Sequence, residues 1–483
     1  MVNSMTIIQR DYDLALSSEC RIRSKNAFFV SGDLMKKASM LATNGVYCTT
    51  AVGAILRLCL TLVFGWLVAA VGSADTSTTQ PTEYSIVDSG AIGNGVTLNT
   101  KDIQAAIDLA AVKGGTVVVP QGVFLTGSIF LKPGVNLHID QGGVLKGSAN
   151  IDDYPKMPTR VEGHAVNWIP ALVNADSCNG LKISGPGTLD GSGAHFWAEF
   201  ENQIKRDPTT TNLSVERPRL MLVQHSDNVT VSGVTFKDSG FWNLHLYDCQ
   251  HALVENSHFE VPDGARCPST DGTDIDSCQD VTVRGCVYSV DDDCVCLKGT
   301  KGPFALLDAD SLPDDHILVT GCTFNRGHGV VTLGSEATVI RDVIVENCIV
   351  NGPISLVRIK LRADTPQSYE DIHYRDITLS SSGGAIIQLE PWTQYFNPMG
   401  QPVSTSTVSN VTISDIKGSY GSFGKVVGNP GDLIGGITFN NIDVTLKHEK
   451  LTVGAPGSVT LNNVNVNGRP MTLDQALATD GTD

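Results

Sequence analysis

The sequence is poor in aromatic residues and in positive charge. Aromatic side chains make up only 6% of the 483 residues, whereas glycine occurs 48 times, and this composition favours many short strands and tight turns over a helical bundle. No run of five or more basic residues occurs, and the formal net charge is −17. Because nucleic-acid-binding proteins normally carry a basic patch, we expect no nucleic acid as a partner.

Cysteine pairs with metal-site spacing are also missing. Nine cysteines follow Ala74, and no two of them form a Cys-x-x-Cys motif, so the sequence gives no support for a zinc site. An odd number leaves at least one thiol unpaired, and the sequence alone cannot assign the pairs. We expect neither a metal nor a cofactor.

Only one long hydrophobic run occurs, Leu58–Val71, and Gly72-Ser73-Ala74 follows it. An apolar run of this length that ends in small residues suits a signal peptide better than a bilayer span. The segment upstream of Arg57 is unusually long for a leader, so either the chain starts at Met40 or the run is an uncleaved anchor. We assign 1–74 to an N-terminal extension with a signal peptide or anchor. We expect a secreted protein, extracellular or periplasmic, with no stable membrane insertion unless that run is uncleaved.

A short block, typically N/D-V-T-V-x-x-C/V-x-F, recurs through most of the chain. Apolar and polar residues alternate within it, which is the period of a strand. No helix of crossover length separates the blocks, which excludes a doubly wound α/β sheet. The blocks begin at Asn179, Asn228, His251, Asp280, His316, Asp342, Asp371, Asn410, Gly436 and Ser458. The closest spacings, such as Asn228 to His251 and Gly436 to Ser458, define one coil, and longer spacings indicate a coil with an inserted loop.

Strands with this spacing can pair only with the equivalent strands of neighbouring coils. The sequence therefore predicts an all-β fold, a single-domain parallel β-helix over residues 75–483. One amphipathic helix precedes the coils at 100–112, with Ile103, Ala106, Ile107 and Ala110 on one face. We expect this helix to cap the open end of the solenoid. The repeated Asn, Cys and Thr are interpreted as ladders inside the turns.

Acidic residues recur at the coil spacing. Asp271 precedes Asp292 and Asp293 by one coil length, and equivalent positions of successive coils lie about 4.8 Å apart. A single Asp more often marks a solvated turn. The cluster is different, because adjacent carboxylates repel one another unless a ligand, a metal or a shared proton compensates.

An imidazole and two cations fall on the same face of the predicted solenoid. Asp292 and His328 lie equally far from the starts of their blocks at Asp280 and His316, and Arg358 and Lys360 follow one coil later. Arg358 and Lys360 alternate along a strand, so they point to the same side. A lone His or an exposed strand cation is usually structural, and only the neighbouring acids make these residues candidates for a site.

The chain from about Tyr84 to Val466 resembles glycoside hydrolase family 28, the polygalacturonases and their relatives, which are right-handed parallel β-helices. The family's N-T-D, G-D-D, G-H-G and R-I-K motifs look like four tripeptides that occur here in the same order. They are Ser269-Thr270-Asp271, Asp291-Asp292-Asp293, Gly327-His328-Gly329 and Arg358-Ile359-Lys360. Two departures affect the expected substrate: Ser269 stands where the family has Asn, and Asp291 where it has Gly.

The resemblance implies hydrolysis of α-1,4-galacturonosidic bonds in pectin or polygalacturonate with inversion. By motif position Asp292 is then the general acid, and repulsion from its acidic neighbours is expected to raise its pKa. Asp271 and Asp293 hold and deprotonate the water, and His328 tunes the acid or contacts the sugar. All four are assigned as catalytic residues.

The same resemblance assigns Arg358, Lys360 and Ser269 to substrate binding, with the two cations clamping a galacturonate carboxylate. Such a clamp matters because acidic residues far outnumber basic ones after Ala74. The expected partner is an acidic polysaccharide, and the expected state is a monomer. Trp392 and Tyr395 are candidates for sugar stacking or for burial.

Several alternatives remain open at this point. Within the family, a rhamnogalacturonan or xylogalacturonan hydrolase fits; outside it, a calcium-dependent pectate lyase or a non-catalytic β-helix that binds cell-wall polysaccharide. Endo or exo action depends on whether loops close one end of the cleft. The extra sequence from Gly299 to Asp315 is expected to form such a loop, which slightly favours exo action.

Overall fold

The computed structural model describes residues 82–455 and 458–477. The predicted signal peptide or anchor and the boundary at residue 74 lie outside the described residues. In the part that is described, no helix is both long enough and apolar enough to cross a membrane.

The described chain consists mainly of short strands, with few helices. The α-helices are α1 (Thr100–Ala111), α2 (Ala194–Arg206) and α3 (Leu473–Leu477), and short 3₁₀ turns lie at Ile86–Ser89, Ile151–Asp153, Asn212–Ser214 and Ala305–Leu307. The strands are β1 (Glu83–Ser85), β2 (Asn94–Leu98), β3 (Gly115–Val119), β4 (Gly122–Thr126), β5 (Ile129–Leu131), β6 (Val135–Ile139), β7 (Gly143–Gly147), β8 (Met157–Val161), β9 (His164–Trp168), β10 (Val173–Asp176), β11 (Lys182–Ser184), β12 (Thr188–Asp190), β13 (Met221–Gln224), β14 (Thr230–Ser232), β15 (Thr235–Lys237), β16 (Leu244–Tyr247), β17 (Gln250–Glu255), β18 (His258–Glu260), β19 (Thr273–Asp276), β20 (Gln279–Arg284), β21 (Val287–Ser289), β22 (Val295–Lys298), β23 (Asp314–Thr320), β24 (Thr323–Arg326), β25 (Gly329–Leu333), β26 (Val339–Glu346), β27 (Ile349–Val350), β28 (Ser355–Leu361), β29 (Gln367–Ser380), β30 (Ala385–Pro391), β31 (Ser406–Val426), β32 (Leu433–Ile434), β33 (Ile437–Val453), β34 (Val459–Val466) and β35 (Arg469–Pro470).

Three parallel sheets run along the molecule, and each coil contributes one strand to each sheet. The first contains β3, β6, β11, β14, β17, β20, β23 and β26, the second β4, β7, β12, β15, β18, β21, β24 and β27, and the third β5, β10, β13, β16, β19, β22, β25, β28 and β30. The long strands β29, β31 and β33 continue these sheets in the last coils. The predicted parallel β-helix is confirmed.

The repeated block corresponds to a first-sheet strand, a turn and a second-sheet strand. The block at Asn228, for example, contains β14 and β15. Its first residue adopts a left-handed conformation in eight blocks, with φ between +50° and +65°, and Asn, Asp, His and Gly tolerate this conformation best. The eight residues are Asn228, His251, Asp280, His316, Asp342, Asp371, Asn410 and Gly436.

The interior of the solenoid is stacked coil on coil. The aromatic residue that ends the block forms a continuous ladder, Phe236–Phe259–Tyr288–Phe324, with ring centroids 4.7, 4.8 and 5.2 Å apart. The nine cysteines after Ala74 are all buried, and none of them is in a disulfide. Burial and stacking therefore stabilise these coils without covalent cross-links.

The predicted amphipathic helix is α1. Its four predicted inward residues, Ile103, Ala106, Ile107 and Ala110, are its buried residues, and it packs against β1, β3 and β5. The helix therefore forms where the hydrophobic period indicated. Its role as a cap of the solenoid stays a prediction.

Candidate active site

The four predicted catalytic residues lie at the turns that lead into third-sheet strands, and Arg358 and Lys360 lie within such a strand, β28. The register of β19 with β22 places Asp271 beside Asp293, and the Gly272 amide donates to the Asp293 carbonyl at 2.9 Å. The register of β22 with β25 places Asp292 beside His328, whose amide donates to the Asp292 carbonyl at 2.8 Å. The structure therefore brings these residues together on successive coils, and they line one cleft of about 660 Å³.

Asp293 is an ionised carboxylate held by two cations. It is 1% exposed, and Lys360 Nζ donates to it at 2.7 Å and Arg358 at 3.3 Å. Burial opposes its ionisation, but Lys360 and Arg358 outweigh burial and hold the pKa of Asp293 well below its usual range. The two predicted clamp residues therefore already neutralise a carboxylate of the protein.

Asp292 and His328 form a hydrogen-bonded pair, with His328 Nδ1 3.1 Å from Asp292 Oδ1. Burial favours the neutral carboxyl, but the hydrogen bond and charge of His328 outweigh burial and lower the pKa of Asp292. The same hydrogen bond raises the pKa of His328. The expectation that the pKa of Asp292 is raised is therefore wrong for this structure, because His328 outweighs both burial and the repulsion from Asp293.

Asp291, where the family has Gly, is used to hold the wall of the cleft. Its carboxylate accepts from Arg326 and, at 2.6 Å, from the backbone amide of Cys267. Arg326 also donates to the carbonyls of Pro262 and Ala265. The additional negative charge is thus compensated locally by Arg326, a partner that the sequence analysis did not consider.

Asp271 lies in a buried network centred on Lys298. Lys298 Nζ is 3.3 Å from carboxylate oxygens of Asp271, Asp274 and Glu336, and it lies 4.3 Å from the ring centroid of Trp242. Burial raises the pKa of Asp271 to about 7, helped by Asp292 and Asp293 and opposed by Lys298. Asp271 therefore holds a proton more tightly than its neighbour Asp293 does.

Lys298, Asp274 and Glu336 were missed by the sequence analysis. Lys298 ends β22, the strand that the Asp cluster precedes, and Asp274 lies in β19, shortly after Asp271. Both residues could have been predicted as site residues from the repeat, because stacking also brings the residues at the two ends of neighbouring strands close together. Glu336 follows a turn after β25, and no sequence pattern singles it out.

A second group of buried side chains, carried in part by β16 and β19, lies next to this network. Arg160 donates to Asp276 at 2.8 and 3.0 Å, and Arg219 donates to His245 Nδ1 at 2.8 Å. Because an Arg can only donate, His245 Nδ1 accepts, and its Nε2–H faces Asp276 at 3.3 Å. Burial lowers the pKa of His245 to about 4, so this imidazole is neutral and structural.

Glycines allow the catalytic coils to approach each other closely. A Cβ at Gly272 would lie 2.4 Å from the Cys294 carbonyl oxygen, and one at Gly327 would lie 2.4 Å from Cys294 Sγ. The glycines beside Asp271 and His328 thus have a steric role in the stacking.

The predicted binding residue Ser269 lies at the cleft wall with φ +62°, and its hydroxyl accepts from Arg217 at 3.1 Å. Trp392 is half-buried, with its ring centroid 5.5 Å from the Arg358 guanidinium carbon and 4.8 Å from Lys360 Nζ. Arg358 Nε is buried and has no hydrogen-bond partner among the described residues. Arg358 therefore retains a donor beside the Trp392 ring.

The insertion from Gly299 to Asp315 does not line this cleft, contrary to the expectation. It contacts the turn of the β8–β9 hairpin instead, where the Lys301 amide donates to the Gly163 carbonyl at 3.3 Å. Glu162, at the tip of that hairpin, does line the cleft, together with Asn212 and Tyr395. Glu-Gly is not among the dipeptides that mark a two-residue hairpin turn, so no sequence pattern singled out Glu162.

Among the described residues, three groups of Asp, His and Cys side chains could offer metal ligands within 4.8 Å of one another, and two of them contain residues of the cleft. These two are Asp292, Asp293 and His328, and Asp271, Asp274 and Cys296. In both groups a lysine ammonium already lies on the carboxylates, Lys360 in the first and Lys298 in the second. These donor sets are therefore compensated by the protein's own cations.

The arrangement provides an ionised carboxylate, a carboxyl with a raised pKa and an acid–imidazole pair that share one cleft. Hydrolysis of a glycosidic bond requires a proton donor and a second carboxylate around the scissile bond. Fold and site together define a glycoside hydrolase built on a parallel β-helix.

Comparison with known proteins identifies the family. The model of the glycosyl hydrolases family 28 matches residues 110–470, and the chain belongs to this family. It is 26% identical to a probable polygalacturonase of Vitis vinifera, over 75% of this chain and 74% of the relative. It is 28% identical to an exopolygalacturonase of Zea mays, over 70% and 76%. The fold is similar to that of a Thermotoga maritima exopolygalacturonase, with TM-score 0.65, 23% identity, and 81% and 94% coverage.

Proposed function

We propose that this glycoside hydrolase cleaves α-1,4-galacturonosidic bonds of polygalacturonate with inversion. The observation that carries the proposal is the Asp292–His328 pair, which lies beside the ionised Asp293 in a cleft that also contains Arg358. Relatives named as polygalacturonases support the substrate class.

The proton for the leaving oxygen comes from the Asp292–His328 pair. The pair holds one proton in either of two forms, a protonated His328 beside an ionised Asp292, which their hydrogen bond favours, or a neutral His328 beside a protonated Asp292. Both side chains are open to the cleft, and Asp292 in its protonated form transfers the proton to the glycosidic oxygen as that oxygen becomes more basic in the transition state. The proton that Asp271 takes from water is released to solvent, and the pair takes up a proton from solvent for the next cycle.

The water is held by the two other carboxylates. Asp271, whose pKa is about 7, is the stronger base of the two once it is ionised, and in that form it removes the proton of the attacking water. Asp293 stays ionised and stabilises the positive charge that develops on the sugar ring. Lys360 and Arg358 keep Asp293 in that state.

The anionic sugar is recognised by Arg358, which lines the cleft beside Trp392 and keeps part of its side chain exposed. The positive charge of its guanidinium attracts a galacturonate carboxylate, and the Trp392 ring offers an apolar face to the sugar. An acidic polysaccharide is therefore the partner that this cleft suits.

Exo action is part of the proposal. The Tyr395 hydroxyl donates to Asn212 Oδ1 at 3.3 Å, and this contact joins two segments that are distant in the sequence beside the hairpin tip. The cleft of about 660 Å³ falls within the range of about 300–1,000 Å³ that holds small ligands. Because the relatives include both exo- and endo-acting enzymes, the support for exo action comes from this contact beside the hairpin tip.

We also propose that the protein is secreted. The support is the apolar run Leu58–Val71 with small residues after it, which has the length of a signal peptide's hydrophobic core. A polymeric substrate of the cell wall would be met outside the cell. Fractionation of cells that express the full chain, with N-terminal sequencing of the product, tests this part.

Product analysis on polygalacturonic acid tests the activity. We expect saturated monogalacturonate from the first minutes, with inverted anomeric configuration by NMR, and no product from Asp292→Asn. Unsaturated products that absorb in the ultraviolet would show lyase chemistry instead. Long oligomers as first products would contradict exo action but not hydrolysis.

A further inference from the structure

The β8–β9 hairpin carries one acidic residue into the cleft. Its two-residue turn is Glu162-Gly163, with φ values of +49° and +72°, which is the geometry of a type I′ turn. The turn packs closely against the start of the insertion after β22, since a Cβ at Gly163 would lie 2.7 Å from the Gly299 carbonyl oxygen. Glu162 is thus presented by a rigid element that is anchored to the insertion after β22.

Glu162 is 6% exposed, and its remaining surface faces the cleft. Its Oε1 accepts from the Asn212 side-chain amide at 2.6 Å, and Asn212 in turn accepts from Tyr395. Lys301 Nζ lies 5.6 Å from the Tyr395 ring centroid and 3.9 Å from Glu336 Oε1. Around Glu162 the cleft therefore has an aromatic ring, an amide and two carboxylates.

The charges at this end favour a hydroxyl over a carboxylate as ligand. Glu162 and Glu336 repel each other, and burial and this repulsion raise the pKa of Glu162. Two cations oppose this rise, Lys301 and Lys298, but both are already close to Glu336, at 3.9 and 3.3 Å. A second carboxylate would add to the repulsion, whereas a sugar hydroxyl donates a hydrogen bond to Glu162 and relieves it.

We propose that Glu162 is the specificity-determining residue for chain ends and accepts a hydrogen bond from the free 4-hydroxyl of the non-reducing terminal sugar. This inference rests on the proposed function. In an α-1,4-linked chain, every internal sugar carries a glycosidic oxygen at position 4, which has no proton to donate. Because Asn212 already donates to Glu162 Oε1, an internal sugar at this position would leave the second carboxylate oxygen without a donor from the substrate, and sites of this kind reject such ligands strongly.

The experiment compares two trigalacturonates, one unmodified and one whose terminal 4-hydroxyl is replaced by hydrogen, with wild type, Glu162→Ala and Glu162→Gln. Glu216→Ala is the matched control, because Glu216 pairs with Lys156 next to the same hairpin and does not line the cleft. For wild type and the control, we expect kcat/KM to fall about 10- to 100-fold when the hydroxyl is removed. For Glu162→Ala we expect both substrates to be cleaved about equally, at the rate of the modified one, and for Glu162→Gln an intermediate preference.

The outcomes separate the two proposals. If wild type discriminates and Glu162→Ala discriminates equally well, the role of Glu162 is overturned while the hydrolase stands. If wild type cleaves both substrates equally, the end-recognition role is likewise overturned. No cleavage of either substrate by wild type contradicts the proposed function itself. Should Glu162→Ala not fold, as judged by its melting curve, the isosteric Glu162→Gln decides by the same comparison.

Discussion

Two groups of side chains in this molecule have the same composition and very different surroundings. Each consists of two Asp and one His whose oxygen and nitrogen atoms lie within 4.8 Å of one another. The cleft group is Asp292, Asp293 and His328, and the outer group is Asp315, His316 and Asp342. None of the outer group lines the cleft.

The same coil-on-coil stacking brings both groups together. In the outer group, His316 lies 3.3 Å from Asp315 and 3.4 Å from Asp342, with the His and Asp342 largely open to water. Asp315 is largely buried, but its cation Arg341 is half exposed. In the cleft group, Asp293 is buried and held by two cations. The repeat therefore brings such side chains close together in both groups. Burial and the neighbouring cations are what change their ionisation in the cleft group, because charge interactions are weak in water and strong where water is excluded.

The largest expected difference between the two groups is in activity. Asp292→Asn removes the proposed proton donor, so we expect kcat on polygalacturonate to fall about 10²- to 10⁴-fold. Asp342→Asn, the same substitution in the outer group, leaves kcat unchanged. Initial rates of reducing-sugar release measure both. Comparable losses of kcat in the two variants would contradict the assignment of a catalytic role to the cleft group alone.

The next difference is in stability. Lys360→Met leaves Asp293 buried with only Arg358 as partner, and we expect a loss of about 3 kcal/mol in the free energy of unfolding. Arg341 is the matched cation of the outer group, 2.8 Å from Asp315 and half exposed. For Arg341→Met we expect less than about 1 kcal/mol. Urea-induced unfolding gives both values, and equal losses would mean that burial is not what distinguishes the groups.

Asp271, which borders the cleft group, makes stability depend on pH. Its pKa is raised to about 7 in the folded state from 3.8, so the folded protein binds the proton more tightly and loses stability as pH rises from about 4 to 7. Asn at this position does not titrate. We expect inactive Asp271→Asn to melt several degrees above wild type at pH 8, with the difference vanishing toward pH 4. A constant difference across this range would contradict the raised pKa.

The smallest expected effect concerns the two imidazoles. The pKa of His328 is raised and that of Asp292 lowered by their hydrogen bond. Their pairing therefore stabilises the fold most between about pH 4 and 6.5, and the contribution is lost above the folded pKa of His328 and below that of Asp292. We expect His328→Ala to lower the melting temperature more at pH 5.5 than at pH 9. His316→Ala, in an exposed pair, serves as the reference and should change it less.

Much of this architecture was predictable because a β-helix converts sequence spacing into distance. Counting from the block starts at Asp280 and His316 aligned Asp292 with His328, and the register of β22 with β25 shows the same alignment. The helix α1 followed from its hydrophobic period. These features are local or periodic, so that the sequence contains the information needed to predict them.

The electrostatics of the site were not predictable in this way. The sequence shows three consecutive acids, but not that Arg326 neutralises Asp291 or that Lys360 neutralises Asp293. The expected direction of the Asp292 pKa was wrong because the sequence does not show that the hydrogen bond from His328 outweighs the repulsion from Asp293. Glu162 was missed because it reaches the cleft through an insertion far from the Asp cluster in the sequence, at a position that no repeat fixes.

The insertion after β22 has a consequence for how this enzyme can be altered. Thr273 pairs with Val295, and Val295 pairs with Val331 across a much longer stretch of chain, yet the ladder continues in register across both steps. The length of a turn therefore does not change the strand pairing of the coils on either side of it. The loop at such a turn can be lengthened or shortened while the strands that position Asp271, Asp292 and Asp293 keep their register, so the proposed chain-end selectivity is adjustable separately from bond cleavage.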